Sequence, residues 1–384
     1  MQIDLLMGEG LSAQSYLNIA AVLEAARRAD ADAVHPGYGF LSENPDFARA
    51  VEAEGMAFVG PTPDTLAVFG DKASAKAAAI AAGVPVVPGS GRAFSDPAEI
   101  AAEARRMGLP VLLKAVGGGG GRGQRLVESE ASLHADIEAA LREARSAFGS
   151  EELLLERFMP RARHVEVQIA GDGAGTVIHL FERDCTLQRR RQKVIEEAPA
   201  WGLSPELVSR LTTDAVRLGE SVDYRGLGTV EFLVASDEHF FLEVNPRLQV
   251  EHPVAEAITG LDLVELQLRV AAGQGLGVGQ SDIRRQGHAI EARLYAEDPG
   301  NGFAPSTGRI TALSLPDGIR ADSGVEAGDT VSRFYDPMLA KLIVHAPDRA
   351  AALDALARAL DVTAVAGVTT NRDFLAALAR DPNV

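Results

Sequence analysis

A chain of 384 residues is long enough for roughly two or three domains with cores of their own, and its composition is that of an ordinary soluble globular protein, rich in alanine and glycine and poor in aromatics. A formal net charge of −17 at pH 7 excludes a general nucleic-acid or anionic-membrane surface, so any phosphate site must be a local basic pocket. Cys185 is the only cysteine, which excludes an intrachain disulfide and fits a cytoplasmic setting; the thiol is expected to be a small buried hydrophobe.

In chain order, residues 1–70 read as α/β. A helix is expected at 15–29, then a strand at 33–35 leading into the turn Pro36-Gly37-Tyr38-Gly39-Phe40. A second helix at 45–54 and a strand at 57–59 follow. Such alternation implies a parallel sheet flanked by helices. An alanine-rich helix follows Gly70-Asp71-Lys72, and another covers 96–107. A strand at 111–115 precedes the glycine run 117–123, and 126–127, 132–147 and 153–156 read as strand, helix and strand. Strands at 164–169 and 176–182 flank the turn Gly171-Asp172-Gly173, ahead of a basic run and a helix at 205–218. The segment 229–245 predicts two half-buried strands joined by a polar turn, and 254–271 a single helix. Residues 273–286 make the best linker, after which strands at 288–297, 308–315 and 341–345 and helices at 350–360 and 371–378 form an α+β region.

Three stretches carry chemistry. In 229–252, alternation puts Val230, Phe232, Val234, Phe240, Leu242 and Val244 on one face and brings Glu231 and Glu243 together on the other, with Asn245 beyond them. Adjacent carboxylates repel unless something positive sits between them, and oxygen-only ligands suit Mg²⁺ or Mn²⁺. The bland alternative is two solvated glutamates on an exposed face. Arg247, Gln249 and Glu251 then alternate along the next segment, which favours a site.

The glycine run strips a loop of side chains so that backbone amides approach an anion. No Gly-Lys-Ser/Thr follows it, and it opens no helix, so neither the P-loop nor the dinucleotide fold fits. A plain hinge competes with a hinged lid over a nucleotide, and Lys114 on the preceding strand favours the lid. The basic run places Arg183, Arg189, Arg190, Arg191 and Lys193 together. Glu182, Asp184, Glu196 and Glu197 are expected to absorb part of that charge, and the remainder suits ATP phosphates or a small oxyanion. His35, in a glycine-punctuated loop, reads as structural.

These residues resemble the biotin carboxylase component of biotin-dependent carboxylases, an ATP-grasp family. The carrying stretches are HPGYGFLSEN at 35–44, GDK at 70–72, Lys114 with GGGGGRG at 117–123, and ERDCTLQRRRQKVIEEAP at 182–199. FLEVNPRLQVEHPVAE at 241–256, EARLYAEDP at 291–299 and YDPMLAKLI at 335–343 complete the set. The resemblance implies an ATP-grasp fold in three parts. These are an N-terminal Rossmann-like domain at 1–70 lacking its first elements, an ATP-grasp domain at 71–277 with a mobile lid subdomain at about 115–160, and a C-terminal biotin carboxylase domain at 288–384 whose end is missing.

It also implies a reaction in which ATP phosphorylates bicarbonate to carboxyphosphate, whose CO₂ passes to biotin on a carrier domain. By matching position, Lys72 and Lys114 would hold ATP phosphates under the lid formed by Gly118, Gly119, Gly120 and Gly121. Glu156, Arg157, Met159, His164, Gln188 and Leu233 would surround the adenosine, and Glu231, Glu243 and Asn245 would hold Mg²⁺ or Mn²⁺. Lys193, Arg247, Gln249 and Val250 would grip bicarbonate, Glu251 would be the general base, and Arg293 would stabilise the biotin enolate. Arg191 stands where the family commonly has histidine, keeping the charge of an ATP contact without a titratable imidazole. Implied partners are a biotin carboxyl carrier domain, a carboxyltransferase and a second copy of the chain. The acyl acceptor would be acetyl-, propionyl- or methylcrotonyl-CoA. Two alternatives stand beside this reading: another ATP-grasp carboxylate–amine ligase, and an inactive nucleotide-binding fragment.

Overall fold

The computed structural model describes residues 11–116 and 123–384, which divide into two compact units. The smaller holds 85–163 and 233–242; the larger holds 11–84, 164–232 and 243–384.

The larger unit opens with α1 (Ile19–Arg28), which starts later than the apolar pattern because the Asn18 side chain accepts the Ala21 amide and fixes the first turn. The strands β1 (Ala33–Val34) and β2 (Ala57–Phe58) pair in parallel across α2 (Pro45–Ala53), as the alternation implies. Next, α3 (Pro63–Gly70) is a helix the apolar pattern does not announce, although Thr62 followed by Pro63 is a cap and first-turn signature. Asp71 caps α4 (Lys72–Ala81). Leu23, Phe47, Val51, Phe58 and Leu66 share one core here.

The smaller unit is built from α5 (Pro97–Met107), β3 (Val111–Ala115), β4 (Gln124–Val127), α6 (Leu133–Phe148) and β5 (Leu153–Arg157). Its strands form an antiparallel sheet in the order β4-β3-β5. Alternate residues Val111, Leu113, Leu153 and Leu155 meet Ile100, Leu133 and Ile137 of the two helices.

The rest of the larger unit is organised on an eight-stranded sheet. Its long strands are β6 (Arg163–Asp172), β7 (Val177–Arg189), β8 (Gln192–Ala198), β9 (Arg225–Ala235), β10 (Glu238–Asn245) and β11 (His288–Tyr295). Helices α7 (Pro205–Glu220), α8 (His252–Thr259) and α9 (Leu263–Ala271) accompany them. The short strands β12 (Glu297–Asp298), β13 (Ala304–Pro305), β14 (Gly308–Arg309), β15 (Ala312–Ser314), β16 (Arg320–Ser323) and β17 (Thr330–Val331) come next. They are followed by β18 (Met338–Ala346), α10 (Arg349–Val362), β19 (Ala364–Ala366) and α11 (Arg372–Leu378). The order is β10-β9-β6-β7-β8-β11-β18-β16, with antiparallel pairing from β6 through β16.

Three sequence expectations change. The single helix at 254–271 is two, because Gly260 turns left-handed at φ 71° and Asp262 caps a new start by accepting the Glu265 amide. The strand at 308–315 is likewise two, β14 and β15. The hairpin at 229–245 changes too: β9 is buried on both faces, with Glu231 4 % exposed opposite Val230 and Phe232, while β10 is half-buried as expected but turns Phe241 inward rather than Phe240. Phe241 belongs to the smaller unit, where its amide donates to the Pro85 carbonyl at 2.7 Å and its strand bridges Val86. No helix of the described residues is long and apolar enough to cross a membrane.

Candidate active site

Five neighbouring strands, β9, β6, β7, β8 and β11, contribute a row of interacting charged side chains to the large sheet. Lys193 of β8 is the hub. Its Nζ donates to Glu166 Oε2 at 2.6 Å, Glu251 Oε1 at 2.6 Å and Glu231 Oε1 at 3.0 Å. Glu251 occupies the N-cap position of α8 but makes no cap bond; its other oxygen accepts Arg293 Nη2 at 2.7 Å. Burial would raise the Glu251 carboxyl, but Lys193, Arg293 and Arg183 outweigh burial and hold it well below the ordinary range. It is therefore ionised in the resting site.

Arg247 is fixed by Glu43 Oε1 at 2.7 Å, the Leu248 carbonyl at 3.2 Å and Asn245 Oδ1 at 3.3 Å. Glu43 comes from the 35–44 loop, which His35 ties down through Gln267 at 3.0 Å, so His35 is structural as expected. Gln249 is buried with no hydrogen-bond partner on its Nε2. The Val250 carbonyl accepts Lys341 Nζ at 2.8 Å. Arg247, Gln249 and Lys193 are thus donors held within one unit, with an unfilled amide among them, and Val250 is fixed by its carbonyl in the same unit.

His252 follows directly. Its Nδ1 donates to the Gln249 carbonyl at 2.7 Å, and burial, then Lys341, lower its pKa to about 3 from an ordinary 6.5. A folded pKa below the unfolded one means the unfolded chain takes up a proton that the fold refuses, so stability falls as pH drops from about 6.5 towards 3. Wild type should lose roughly 2 kcal/mol relative to His252→Asn between pH 6.5 and about pH 5. Thermal denaturation of the two proteins across that range checks this; a constant difference in Tm would remove His252 as the cause.

The expected metal ligands are the hairpin residues. Glu231 Oε2 lies 2.8 Å from His164 Nε2, and Asn245 Nδ2 donates to Glu231 Oε1 at 2.8 Å. Burial would raise the Glu231 carboxyl, but Lys193 and His164 overcome it and hold it low. Glu243 shifts the other way: burial and the neighbouring Glu231 charge push it up against the pull of Lys72. A buried and a half-buried carboxylate, the second short of positive charge, with a carboxamide beside them make an all-oxygen donor set that fits Mg²⁺ or Mn²⁺.

The nucleotide residues divide between the units. Within the smaller unit, Lys114 Nζ donates to Glu156 Oε2 at 2.6 Å, and Arg157, Met159 and Leu233 are exposed or half-buried. Within the larger, Lys72 is exposed at the start of α4, and Gln188 Nε2 lies 3.0 Å from His164 Nδ1. Gly118, Gly119, Gly120 and Gly121 lie outside the described residues. Arg190 and Arg191 form the exposed turn between β7 and β8, with φ of 49° and 67°.

The basic run is balanced largely by carboxylates other than those expected. Arg183 is fully buried and donates to Glu166 Oε1 at 2.7 Å, Gln168 Oε1 at 2.8 Å and Thr229 Oγ1 at 3.1 Å. Arg189 binds Glu297 at 2.6 Å, while Glu182 pairs with Arg285 at 3.1 Å and Glu197 with Arg349 at 2.6 Å. Of the expected partners, Glu196 accepts Arg293 Nε at 2.6 Å. Sequence reasoning missed Glu166, Glu43 and Glu291 as neighbours of the site. A readable signal existed for one of them: His164, Glu166 and Gln168 are polar at every second position of a strand that otherwise reads apolar.

The family model for the biotin carboxylase N-terminal domain matches residues 2–66, the carbamoyl-phosphate synthase L chain ATP-binding domain matches 71–278, and the biotin carboxylase C-terminal domain matches 291–384. Biotin carboxylase 2 of Bacillus subtilis is 48 % identical over 96 % of this chain and 84 % of its own length. The mitochondrial methylcrotonoyl-CoA carboxylase subunit alpha of Mus musculus is 48 % identical over 98 % of this chain, which spans 53 % of that protein. The chain thus covers about half the length of the alpha subunits it matches. Among solved structures, the biotin carboxylase domain dimer of Hydrogenobacter thermophilus 2-oxoglutarate carboxylase, in complex with MgADP, ADP and bicarbonate, superposes with a TM-score of 0.90 at 43 % identity. That match covers 96 % of this chain and 82 % of that one.

Proposed function

We propose, for a chain that belongs to the biotin carboxylase family and has its ATP-grasp fold, that it carboxylates carrier-bound biotin with bicarbonate and ATP, by way of carboxyphosphate. The observation that carries this reading is the triad of half-buried Lys193 with buried Glu251 and Arg293, beside the Glu231–Glu243 pair. A cation, a base and a guanidinium in this order serve a small oxyanion that must lose a proton as it attacks phosphorus and a neutral heterocycle that must lose one as it attacks carbon. A ligase of another ATP-grasp class has no use for all three.

Glu231, Glu243 and Asn245 would hold the divalent cation, which when bound supplies positive charge to the ATP phosphates. Lys72 and Lys114 would add to that charge, under a lid built on Gly118 to Gly121. Glu156, Arg157, Met159, His164, Gln188 and Leu233 would bound the adenosine, with Arg191 near it. Arg247, Gln249, the Val250 backbone and Lys193 would grip bicarbonate. Glu251 takes the bicarbonate proton, and it gains the basicity to do so when Lys193 turns from it to the substrate anion. Carboxyphosphate then breaks into CO₂ and phosphate, the phosphate takes the ureido N–H proton of biotin, and Arg293 stabilises the enolate that attacks CO₂. The proposed parts are an N-terminal domain at 1–70, an ATP-grasp domain at 71–277 with a lid, and a C-terminal domain at 288–384. Proposed partners are a biotinyl carrier domain, a carboxyltransferase and a second copy of the chain. The proposed acceptor is an acyl-CoA of the methylcrotonyl, propionyl or acetyl type, the first named for the relatives above.

The deciding assay is ATP hydrolysis with and without bicarbonate and free biotin. Turnover should need bicarbonate and rise with biotin; turnover indifferent to biotin would point to the other ligase, and none at all to an inactive fragment. In the same assay Arg247→Lys should raise the bicarbonate KM by about 10–100-fold, because an ammonium cannot reproduce the two-pronged guanidinium contact. An unaltered KM would remove Arg247 from the bicarbonate site.

A further inference from the structure

Two buried carboxyl groups next to the triad have no part in the reading above. Glu196 on β8 and Glu291 on β11 are directly opposed residues of adjacent antiparallel strands, and both are fully buried. Three of their four oxygens, Glu196 Oε2 and both of Glu291, have no hydrogen-bond partner. The fourth, Glu196 Oε1, accepts Arg293 Nε, while the Nη2 of the same guanidinium holds Glu251.

The charged groups around the pair are engaged elsewhere. Lys341 on β18 is 3.9 Å from Glu291 Oε2, donates to the Val250 carbonyl and lies 3.4 Å from Asp322 on β16. Lys193, also on β8, is held by three other carboxylates. His252, at the start of the α8 helix packed on β11, is kept neutral by burial and then by Lys341; Arg320 lies beyond it. Two ionised carboxylates facing each other in this setting, with three unbonded oxygens, carry a desolvation and repulsion cost that one proton between them removes.

We propose that Glu196 and Glu291 share a single proton, forming an acid–carboxylate pair whose one negative charge positions Arg293 for the biotin half of the reaction, an inference that rests on the function proposed above. Burial pushes Glu291 well above the ordinary carboxyl range against Lys341, so Glu291 keeps the proton. Burial, against the pull of Arg293, pushes Glu196 up to about 7. Above that pH, Glu196 anchors Arg293 through Nε. Below it Glu196 is neutral, Arg293 is left with Glu251 and the Tyr295 hydroxyl, and its hold on biotin weakens while the ATP and bicarbonate subsites are untouched.

Two measurements test this. Infrared difference spectra at pH 8 should show the C=O stretch of a buried protonated carboxyl in wild type and lose it in Glu291→Gln. The biotin KM should rise about tenfold from pH 8 to pH 6 in wild type, as one proton is taken up per pair. Glu196→Gln, neutral at every pH, should show the high KM throughout, with kcat much less affected. Glu291→Gln, which mimics the protonated acid, should restore the wild-type pH profile that Glu291→Ala loses. A missing carboxyl band, a biotin KM flat with pH in wild type, or equal damage from Glu291→Gln and Glu291→Ala would each overturn the proposal. A wild type inert towards biotin would instead overturn the proposed function, and the carboxyl band would then decide the shared proton by itself.

Discussion

Glu251→Gln should lower biotin-dependent turnover by about 10²–10⁴-fold, the range expected when a positioned general base is removed, with ATP affinity retained. The amide cannot take a proton, yet it fills the same volume at the start of α8. What it changes in the resting protein is charge: Lys193 keeps Glu166 and Glu231, while Arg293 keeps Glu196. Nucleotide binding, measured by calorimetry or fluorescence, should therefore stay within a few-fold of wild type while turnover collapses. Near-normal turnover would remove Glu251 as the base. A parallel loss of ATP affinity would show instead that the residue holds the architecture together.

Arg183→Met is expected to have the largest effect on stability, about 3–5 kcal/mol, the cost of leaving a buried charge without its partner. Arg183 is wholly enclosed, and its guanidinium bonds Glu166, Gln168 and Thr229 on two other strands. The thioether refills the volume but strands Glu166 Oε1. Chemical denaturation, or the fraction recovered soluble should the variant fail to fold, measures it. Arg183→Met with Glu166→Gln should recover part of the loss, because the second change removes a buried charge left with Lys193 as its one cation. A single variant as stable as wild type would show that the buried pair contributes nothing net.

Motif-bearing stretches and strongly capped helices were legible in the sequence, for local reasons. Asn44-Pro45, Asp71, Asp96 and Ser204-Pro205 each announce a helix start that the structure keeps. The ATP-grasp fold followed from motifs in order rather than from periodicity. Less legible were features decided by distant chain. The break at Gly260 to Asp262 lies inside an apolar pattern that runs through it. The second buried face of β9 depends on what covers it, and alternation cannot report that. Partner charges are the extreme case: Glu43 meets Arg247 across 204 residues of sequence, and Arg293 meets Glu196 across 97. Nothing in either neighbourhood marks the other.

The row of charges on the large sheet has a bearing on how the sheet finds its pairing. Sliding a strand by one residue exchanges its faces, and hydrophobic burial rejects that error. Sliding it by two restores every apolar side chain to the correct face, so burial alone barely distinguishes the slipped sheet from the native one. The directly opposed residues Glu166 and Arg183, and Lys341 and Asp322, break this degeneracy. A two-residue slip of β7 or β18 would set each charge one pleat from its partner, and for Glu166 and Arg183 that place is fully buried. The same polar groups that crowd the site therefore act as a vernier, reading strand alignment at a spacing to which the apolar pattern is blind.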